Sequence, residues 1–284
     1  MFSTDQYELL DIGGERRLER FGRYILDRPA PAAAGIPCQR PDLWQNADAR
    51  FVRDGRNRGV WTRYCRMPET WHIRHEGIVF ELKCSDSGAI GVYPEQTHNW
   101  DWIARMVRQA DRPLTILNLF AYSGGSTIAA AAAGGAVVHV DAAKSAVNWA
   151  RRNARLSGLE KAPLRWIVED ARKFVERELR RGTQYDAVIL DPPTYGHGPK
   201  AQPWKLTDHL VALLRAVRDL TRVRRDFILL TSHTPGVGPR ELRTMLAENV
   251  LENLEEAVFA QRLQLKARTG RQLASGVVAR WPRR

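Results

Sequence analysis

The chain has 284 residues, 44% of them hydrophobic, and a formal net charge of +12 from 44 Lys and Arg against 32 Asp and Glu. This length fits one large domain with a small appended one, because single cores stop growing near about 250 to 300 residues. No run of about 18 uninterrupted apolar residues occurs and the amino terminus lacks the apolar segment of a signal peptide, so a cytoplasmic protein outside the membrane is expected.

Three cysteines, Cys38, Cys65 and Cys84, show no C-x-x-C spacing, and the odd count leaves at least one thiol unpaired. This pattern predicts reduced thiols, with neither a disulfide framework nor a zinc site. The positive charge favours a polyanionic partner, and nucleic acid is the leading candidate. An Arg-rich genome would produce the same surplus without such a partner, so charge alone does not decide.

Residues 1–70 are rich in Arg and turn formers, which predicts a small appended region that is β-rich or partly irregular. Within this region, residues 28–37 carry three prolines and one glycine, a composition typical of a linker. Two apolar runs, 78–82 and 89–92, flank the turn sequence 85–88 and predict a β-hairpin near the start of a second domain, residues 71–284.

From residue 100 onward, segments with the 3.6-residue period of helices alternate with short buried strands. The first helix is expected over 100–107. Strands are predicted over 115–120, 136–141, 165–170, 185–191 and 227–232, and helices over 126–133, 143–156, 172–181, 206–223 and 241–253. Five such strand and helix units in succession predict a parallel sheet with helices on both faces.

The last two predicted strands, 263–267 and 276–281, follow each other without a helix, so one of them lies antiparallel to its neighbour. The expected fold is therefore α/β, with a doubly wound, Rossmann-like, mostly parallel seven-stranded sheet. Ligands of such sheets bind beyond the carboxyl ends of the strands. The residues that end each strand are therefore the candidates for a site.

The first strand of this sheet leads into Asn118-Leu-Phe-Ala-Tyr-Ser-Gly-Gly125. Small residues at the start of a helix let a ligand lie against the backbone. Gly124 and Gly125 are the key positions, although any tight turn between a strand and a helix can require glycine.

Carboxylates end the next two strands. Asp141 is placed where it can accept hydrogen bonds from both hydroxyls of a ribose, or cap a helix that starts at Ala143. Asp170 is placed where it can meet the exocyclic amine of an adenine, or cap a helix that begins at Ala171. The residues leave both alternatives open at both positions.

The fourth strand ends in Asp191-Pro-Pro-Thr-Tyr195, the most specific motif in the chain. The two prolines hold the backbone and remove two N–H donors, so Asp191 and the carbonyl groups after it can receive a planar amine. Tyr195 can stack on the base that carries this amine. A purely structural Asp-Pro-Pro turn is the alternative.

These motifs resemble class I S-adenosylmethionine-dependent methyltransferases, in particular bacterial enzymes that methylate 23S ribosomal RNA. The resemblance extends over residues 80–281 and includes Gly91-Val-Tyr-Pro-Glu-Gln96 ahead of the first helix. It implies S-adenosylmethionine as the cofactor, RNA as the substrate and no bound metal. The residues that it implies for the cofactor are Asn118, Phe120, Ala121, Gly124, Gly125, Asp141, Ala142, Asp170 and Ala171, with Gln96 closing the pocket. The residues that it implies for catalysis are Asp191, Pro192, Pro193 and Tyr195.

One departure from the resemblance concerns the methylated atom. Relatives that methylate carbon 5 of cytosine need a cysteine nucleophile, whereas this chain has His233 at about that position and no cysteine in the Asp191 motif. Direct in-line transfer of the methyl group to a nitrogen is therefore preferred. His197 and His233 are candidate proton acceptors near neutral pH, or ordinary loop histidines.

Seven basic residues and no acid lie between Gln261 and Arg284, which is typical of a path that contacts phosphates or of a solvated tail. They are Arg262, Lys266, Arg268, Arg271, Arg280, Arg283 and Arg284. A nicotinamide dehydrogenase is disfavoured because the first turn lacks G-x-G-x-x-G. A small-molecule or protein methyltransferase and a non-catalytic RNA-binding protein on the same fold are the alternatives, and no pattern indicates the oligomeric state.

Overall fold

The computed structural model describes residues 1–55, 58–198 and 202–283. Contacts divide the chain into two compact units, residues 1–98 with 264–275 and residues 99–263 with 276–284. The division expected after residue 70 is based on a change in composition. The contacts between residues instead group residues 71–98 with the N-terminal strands. Trp71 is one reason, because its indole N–H donates to the Phe21 carbonyl over 3.1 Å and its ring packs against Tyr24.

The first unit contains a five-stranded sheet, which confirms the β-rich prediction. In spatial order the strands are β1 (Tyr7–Gly13), β2 (Arg16–Phe21), β3 (Tyr24–Pro29), β4 (Ala49–Arg53) and β5 (Gly59–Arg63). Strands β3 and β4 are parallel, and the other neighbours are antiparallel. A one-turn helix, α1 (Pro41–Trp44), precedes β4. Fully buried side chains such as Leu18, Phe21 and Phe51 form the core of this unit.

The prediction of a hairpin between residues 78–82 and 89–92 is wrong about the second strand. Strand β7 (Ile78–Leu82) pairs with β6 (Trp71–His75), and residues 89–92 form no strand. The connecting residues Glu76 and Gly77 both have positive φ, 45° and 82°. Two-residue hairpin turns favour such values because they match the twist of the flanking strands.

The linker expected at residues 28–37 is packed into the first unit. Arg28 forms a buried ion pair with Glu19, with 2.6 Å between Nη2 and Oε2, and Ala33 is fully buried in a short 3-10 helix (Pro31–Ala33). A Cβ atom at Gly13 would lie 2.5 Å from the backbone nitrogen of Cys38, so the chain directly after this segment lies against β1. The prolines and alanines therefore shape a close-packed connection.

The second unit is built on a seven-stranded sheet. Its helices are α2 (Thr97–Gln109), α3 (Gly125–Ala132), α4 (Lys144–Leu156), α5 (Ala171–Arg180), α6 (Leu206–Leu220) and α7 (Pro239–Val250). Its strands are β8 (Thr115–Leu119), β9 (Ala136–Asp141), β10 (Leu164–Val168), β11 (Ala187–Leu190), β14 (Phe227–Ser232), β15 (Phe259–Lys266) and β16 (Gln272–Trp281), with a separate small hairpin of β12 (Tyr195–His197) and β13 (Pro203–Lys205).

The strand order is β10-β9-β8-β11-β14-β16-β15. Strands β8, β9, β10, β11 and β14 run parallel, and β16 runs antiparallel to β14. The chain starts at the central strand β8, moves outward to β10 and then returns to β11 on the other side. The topological switch point therefore lies between β8 and β11, and the predicted fold class is confirmed.

Alternate residues of the central strands serve two cores. In β14, Ile228 and Leu230 pack with residues of α6 and α7, whereas Phe227 and Leu229 pack with residues of α2. This two-residue period explains why the strand reads as a continuous apolar run, because both faces of the sheet are covered. Within the described ranges, no helix has the length and apolar character needed to cross a membrane.

The basic end of the chain is strand rather than tail. Arg262, Lys266, Arg268 and Arg283 are exposed, Arg271 is half-buried, and Arg284 lies outside the described residues, so a phosphate-contacting path stays a prediction. Arg280 differs, because it is buried between the rings of Trp102 and Phe259 at 5.3 and 4.6 Å. Burial lowers the pKa of Arg280 to about 10, and this side chain serves packing.

Candidate active site

The strand register brings the predicted strand ends to one edge of the sheet. Leu119 of β8 pairs with Val140 of β9 and with Leu190 of β11, and Leu190 pairs with Leu230 of β14. The residues that follow these positions therefore share the carboxyl edge at the switch point, where ligands of such sheets bind.

The turn after β8 departs from ordinary backbone geometry at three positions. Phe120, Tyr122 and Gly124 have φ values of 56°, 47° and 89°. A left-handed conformation at a residue other than glycine costs on the order of 1 to 3 kcal/mol and is concentrated at functional sites. A hydrogen bond of 3.1 Å from the Ala121 N–H to the Val140 carbonyl holds the turn against β9.

Close packing explains the two glycines of this turn. A Cβ atom at Gly124 would lie 2.9 Å from the Cβ of Ala150 on α4, and one at Gly125 would lie 2.6 Å from Cζ2 of Trp100 on α2. Packing alone is therefore enough to explain why glycine stands at both positions. Contact of both glycines and of the buried Ala121 with a cofactor stays a prediction.

Asp141 ties the turn to the next helix. Its Oδ2 accepts a hydrogen bond of 2.8 Å from the Tyr122 N–H, and its Oδ1 accepts one of 2.9 Å from the Ala143 N–H. Helix α4 begins at Lys144, and Ala143 is its N-cap, so Asp141 is not the cap. Burial raises the pKa of Asp141, and the two backbone hydrogen bonds oppose this rise. The neighbouring Ala142 is half-buried.

Asp170 is the N-cap of α5, followed by the buried Ala171. Its carboxylate accepts from the backbone N–H groups of Arg172 and Lys173 over 2.9 and 3.3 Å, and it pairs with the Arg172 guanidinium. Burial opposes ionisation, but the hydrogen bonds and charge of Arg172 together with the backbone hydrogen bonds hold the pKa of Asp170 below its ordinary value. The described contacts fit the capping alternative, and an adenine contact stays a prediction.

Asp191 lies at the end of β11, beside two polar side chains of the segment that ends β14. The Thr231 hydroxyl donates a short hydrogen bond to Oδ1 of Asp191, and Nε2 of His233 lies 3.5 Å from the same oxygen. Burial alone would favour the neutral acid, yet His233 and Thr231 hold the pKa of Asp191 below its ordinary value. Asp191 is therefore an anionic acceptor at the sheet edge.

The prolines after Asp191 have different surroundings. Pro192 is buried, whereas Pro193 is exposed and its carbonyl accepts a hydrogen bond of 2.7 Å from the Trp204 indole. This carbonyl, expected to receive an amine, therefore already accepts one hydrogen bond and keeps a second lone pair. Tyr195 opens strand β12 with 68% of its surface exposed. Exposure on this scale fits a ring that stacks on a substrate.

Trp204 was missed in the sequence because no motif includes it. Besides binding the Pro193 carbonyl, its ring lies 4.8 Å from the Phe120 ring, and the Arg172 guanidinium lies 5.9 Å above it. Arg172 also donates to the Pro203 carbonyl over 3.0 Å. One buried side chain thus links the turn after β8 to the Asp191 motif, and the only sequence signal is a lone Trp between Pro203 and Lys205.

The side chain of Asn118 is buried and contacts helix α3. Its amide donates to the Thr127 hydroxyl over 2.8 Å, and Thr127 lies 2.9 Å from Nδ1 of His139, all three being buried. The hydroxyl accepts from the Asn118 amide, and the direction of its hydrogen bond with Nδ1 depends on the His139 tautomer. The Asn118 side chain thus connects β8 with the helix that follows the turn. Its contact with the cofactor stays a prediction.

The buried His139 is expected to make the protein less stable as the pH decreases. Burial lowers the pKa of His139 from 6.5 to about 3. The unfolded chain therefore binds the proton first as pH falls, so this contribution to stability is complete above pH ~6.5 and is lost progressively toward pH ~3. The free energy of unfolding should drop by about 2 kcal/mol between pH 7 and 5 from this group. Urea unfolding of wild type, His139→Gln and the exposed-site control His72→Gln measures it. An equal pH slope in all three proteins would contradict the assignment.

Gln96 is buried in a 3-10 helix (Pro94–Gln96) of the first unit, and its role toward the cofactor stays a prediction. Across the described part of the chain, no group of three or more His, Cys, Asp or Glu side chains could hold a metal ion.

The fold and the sheet edge together define a class I methyltransferase. Residues 50–267 match the sequence model of the S-adenosylmethionine-dependent methyltransferase family, and the chain belongs to this family. The structure of the SAM-dependent methyltransferase from Agrobacterium tumefaciens superimposes with a TM-score of 0.90 at 36% identity, covering 98% of this chain and 91% of that one. The family resemblance noted in the sequence is thereby confirmed.

Two further relatives are named Ribosomal RNA large subunit methyltransferase I. The protein from Aeromonas salmonicida is 31% identical over 67% of this chain, and the one from Tolumonas auensis is 28% identical over 66%. The chain spans only 47% and 46% of their lengths, or about half.

The residues at the turn fit an S-adenosyl cofactor. Asp141 retains acceptor capacity on both oxygens after its two backbone hydrogen bonds, which suits the paired hydroxyls of a ribose. Helix α3 begins at Gly125 without a capping side chain among the described residues, so its first N–H groups suit a carboxylate. These groups are therefore compatible with the ribose and the carboxylate of the cofactor.

Proposed function

We propose that the protein transfers a methyl group from S-adenosylmethionine to a base nitrogen in RNA, with ribosomal RNA as the substrate class. The observation that carries the proposal is the shared sheet edge, because β9 and β11 pair with β8 from either side and Asp141 and Asp191 stand at their carboxyl ends. Support comes from the family, from the names of the two relatives and from the net charge of +12. A cytoplasmic location belongs to the same proposal.

The residues of the protein would bind the cofactor and orient the acceptor toward its methyl group. When bound, the sulfonium of the cofactor activates the methyl group, so the acceptor needs correct placement more than a strong catalyst. Asp191 would hold the acceptor amine and stabilise the positive charge that develops on it. Pro192 and Pro193 would keep this carboxylate at the edge, and Tyr195 would stack on the base.

Transfer to carbon is disfavoured by where the thiols lie. Cys38, Cys65 and Cys84 all belong to the first unit, and neither Asp191–Tyr195 nor Thr231–Thr234 contains cysteine. Burial raises the pKa of Cys84 to about 11, burial also raises that of Cys38, and a hydrogen bond to Asp48 raises that of Cys65. Thiolates, the effective nucleophiles, are therefore scarce near neutral pH.

Replacing all three cysteines by Ser is expected to leave methyl transfer intact, because none occupies a nucleophile's position. Single-turnover transfer from labelled cofactor to RNA measures this, with circular dichroism to confirm folding. Loss of turnover in a folded triple variant, or a covalent adduct with 5-fluorocytosine RNA, would restore carbon methylation.

The substrate test compares ribosomal RNA nucleosides from wild-type and deletion strains by mass spectrometry. Loss of one N-methylated nucleoside, restored by adding purified protein and cofactor to the deletion-strain RNA, is the expected result. Methylation of the protein or small-molecule fraction instead would favour those substrate classes. RNA binding without any transfer would favour a non-catalytic role.

A further inference from the structure

His233 and Asp191 form a pair of acceptors at the edge where the methyl group is to be transferred. Leu230 pairs with Leu190, so the segments after β14 and β11 leave the sheet side by side. Nε2 of His233 lies 3.5 Å from Oδ1 of Asp191. The side chains are 36% and 33% exposed, so a substrate can reach both.

The His233 ring occupies a niche that requires glycine on the neighbouring strand. A Cβ atom at Gly276 of β16 would lie 2.8 Å from Nδ1 and 3.1 Å from Cε1 of His233. Gly276 also has a φ of 110°, which L residues rarely adopt. The backbone of β16 therefore accommodates the imidazole beside Asp191.

The 3.5 Å separation of the pair allows one amine that lies beside it to reach both groups. Protein hydrogen bonds between nitrogen and oxygen measure about 2.7 to 3.2 Å, so 3.5 Å is longer than a full hydrogen bond. An exocyclic amine has two N–H bonds and can donate one to Asp191 and the other to an imidazole nitrogen. Of the two groups, a neutral imidazole is the stronger base, because the ordinary pKa of a histidine side chain is about 6.5 and that of an aspartic acid about 3.9.

We propose that His233 accepts the proton released when the acceptor nitrogen is methylated, and that Asp191 stabilises the resulting imidazolium. This proposal rests on the proposed nitrogen methylation. The acceptor nitrogen bonds the methyl carbon through its lone pair, and the methyl–sulfur bond breaks with its electron pair left on sulfur. The N–H bond then breaks, its electron pair returns to nitrogen, and the proton moves to Nε2. An ion pair with Asp191 replaces the earlier contact.

The test uses His233→Gln, which retains an N–H donor near Asp191 but cannot take up a proton. Single-turnover transfer to deletion-strain RNA should slow about 10²-fold or more, the lower end of what general base catalysis contributes. Affinities for RNA and S-adenosylhomocysteine should stay at wild-type values by calorimetry, because His233 acts on the proton. The same substitution at the exposed His72 is the matched control.

His233→Ala provides an independent readout. Added imidazole should restore part of its rate, and more basic substituted imidazoles should restore more, which a structural role would not produce. Wild-type turnover in His233→Gln, or a His233→Ala rate that ignores imidazole, would overturn the proposal. If the wild-type protein itself transfers no methyl group to RNA, the proposed function fails instead.

Discussion

Asp191→Ala and Asp191→Asn are expected to slow methyl transfer about 10²- to 10³-fold, the usual cost of removing one preorganised electrostatic partner. The carboxylate lies beside Thr231 and His233 at the sheet edge, and these two side chains keep its pKa below its ordinary value. If it stabilises charge that develops on the acceptor, its contribution appears mainly in kcat. Asparagine should fail as alanine does, because its amide presents a donor where an acceptor is required.

The measurement pairs single-turnover transfer with calorimetry on the same variants. Cofactor affinity should be unchanged, because Asp191 is assigned to the acceptor. Asp42→Asn, an exposed acid of the first unit, is the control for the substitution itself. Tight cofactor binding with wild-type turnover in both variants would remove Asp191 from the catalytic site, and lost cofactor binding would assign it to the pocket.

Asp141→Ala is expected to weaken binding of S-adenosylmethionine and S-adenosylhomocysteine by about 1.5 to 3 kcal/mol, the value of hydrogen bonds to a charged group. This corresponds to about a 10- to 150-fold increase in Kd. The substitution removes the acceptor for a ribose and also the two hydrogen bonds that hold Tyr122 and Ala143. NAD should bind neither the wild-type protein nor the variant.

Titration calorimetry with both cofactor forms decides this prediction. Asp170→Ala is an informative comparison, because loss of a helix cap costs about 0.5 to 2 kcal/mol of stability and need not alter affinity. Unchanged affinity in folded Asp141→Ala would reject the ribose assignment. Weakened affinity in folded Asp170→Ala would favour the adenine contact over the capping role.

The strand and helix order of the second unit could be predicted because its signals are local. Phe227–Ser232 is apolar over most of its length and all of it is buried, and the flanking helices repeat apolar residues at helical spacing. The N-terminal errors arise where several pairings compete. Strand β7 could pair with residues 71–75 before it or with residues 89–92 after it. The tight turn at Glu76 and Gly77 favours the pairing with residues 71–75.

Most candidate site residues could be predicted as strand ends, but their contacts could not. Trp204 meets Phe120 from 84 positions along the chain, and Thr231 meets Asp191 from 40. Asn118 lies one residue before the end of β8, and its side chain turns inward to Thr127, whereas Asp141 ends β9 and Asp191 follows β11. A strand's period of two shows that neighbouring side chains alternate, but tertiary packing selects the face at each strand end.

By itself, the sequence determined the fold class, the succession of strands and helices, and the acids and glycines that stand at strand ends. These follow from periodicity and turn chemistry within a few residues. Only the tertiary structure decided that Asp170 caps a helix, that Asp141 ties a turn to a strand and that His233 lies against Asp191. Such contacts depend on strand order and register, which bring together segments that are far apart in the chain.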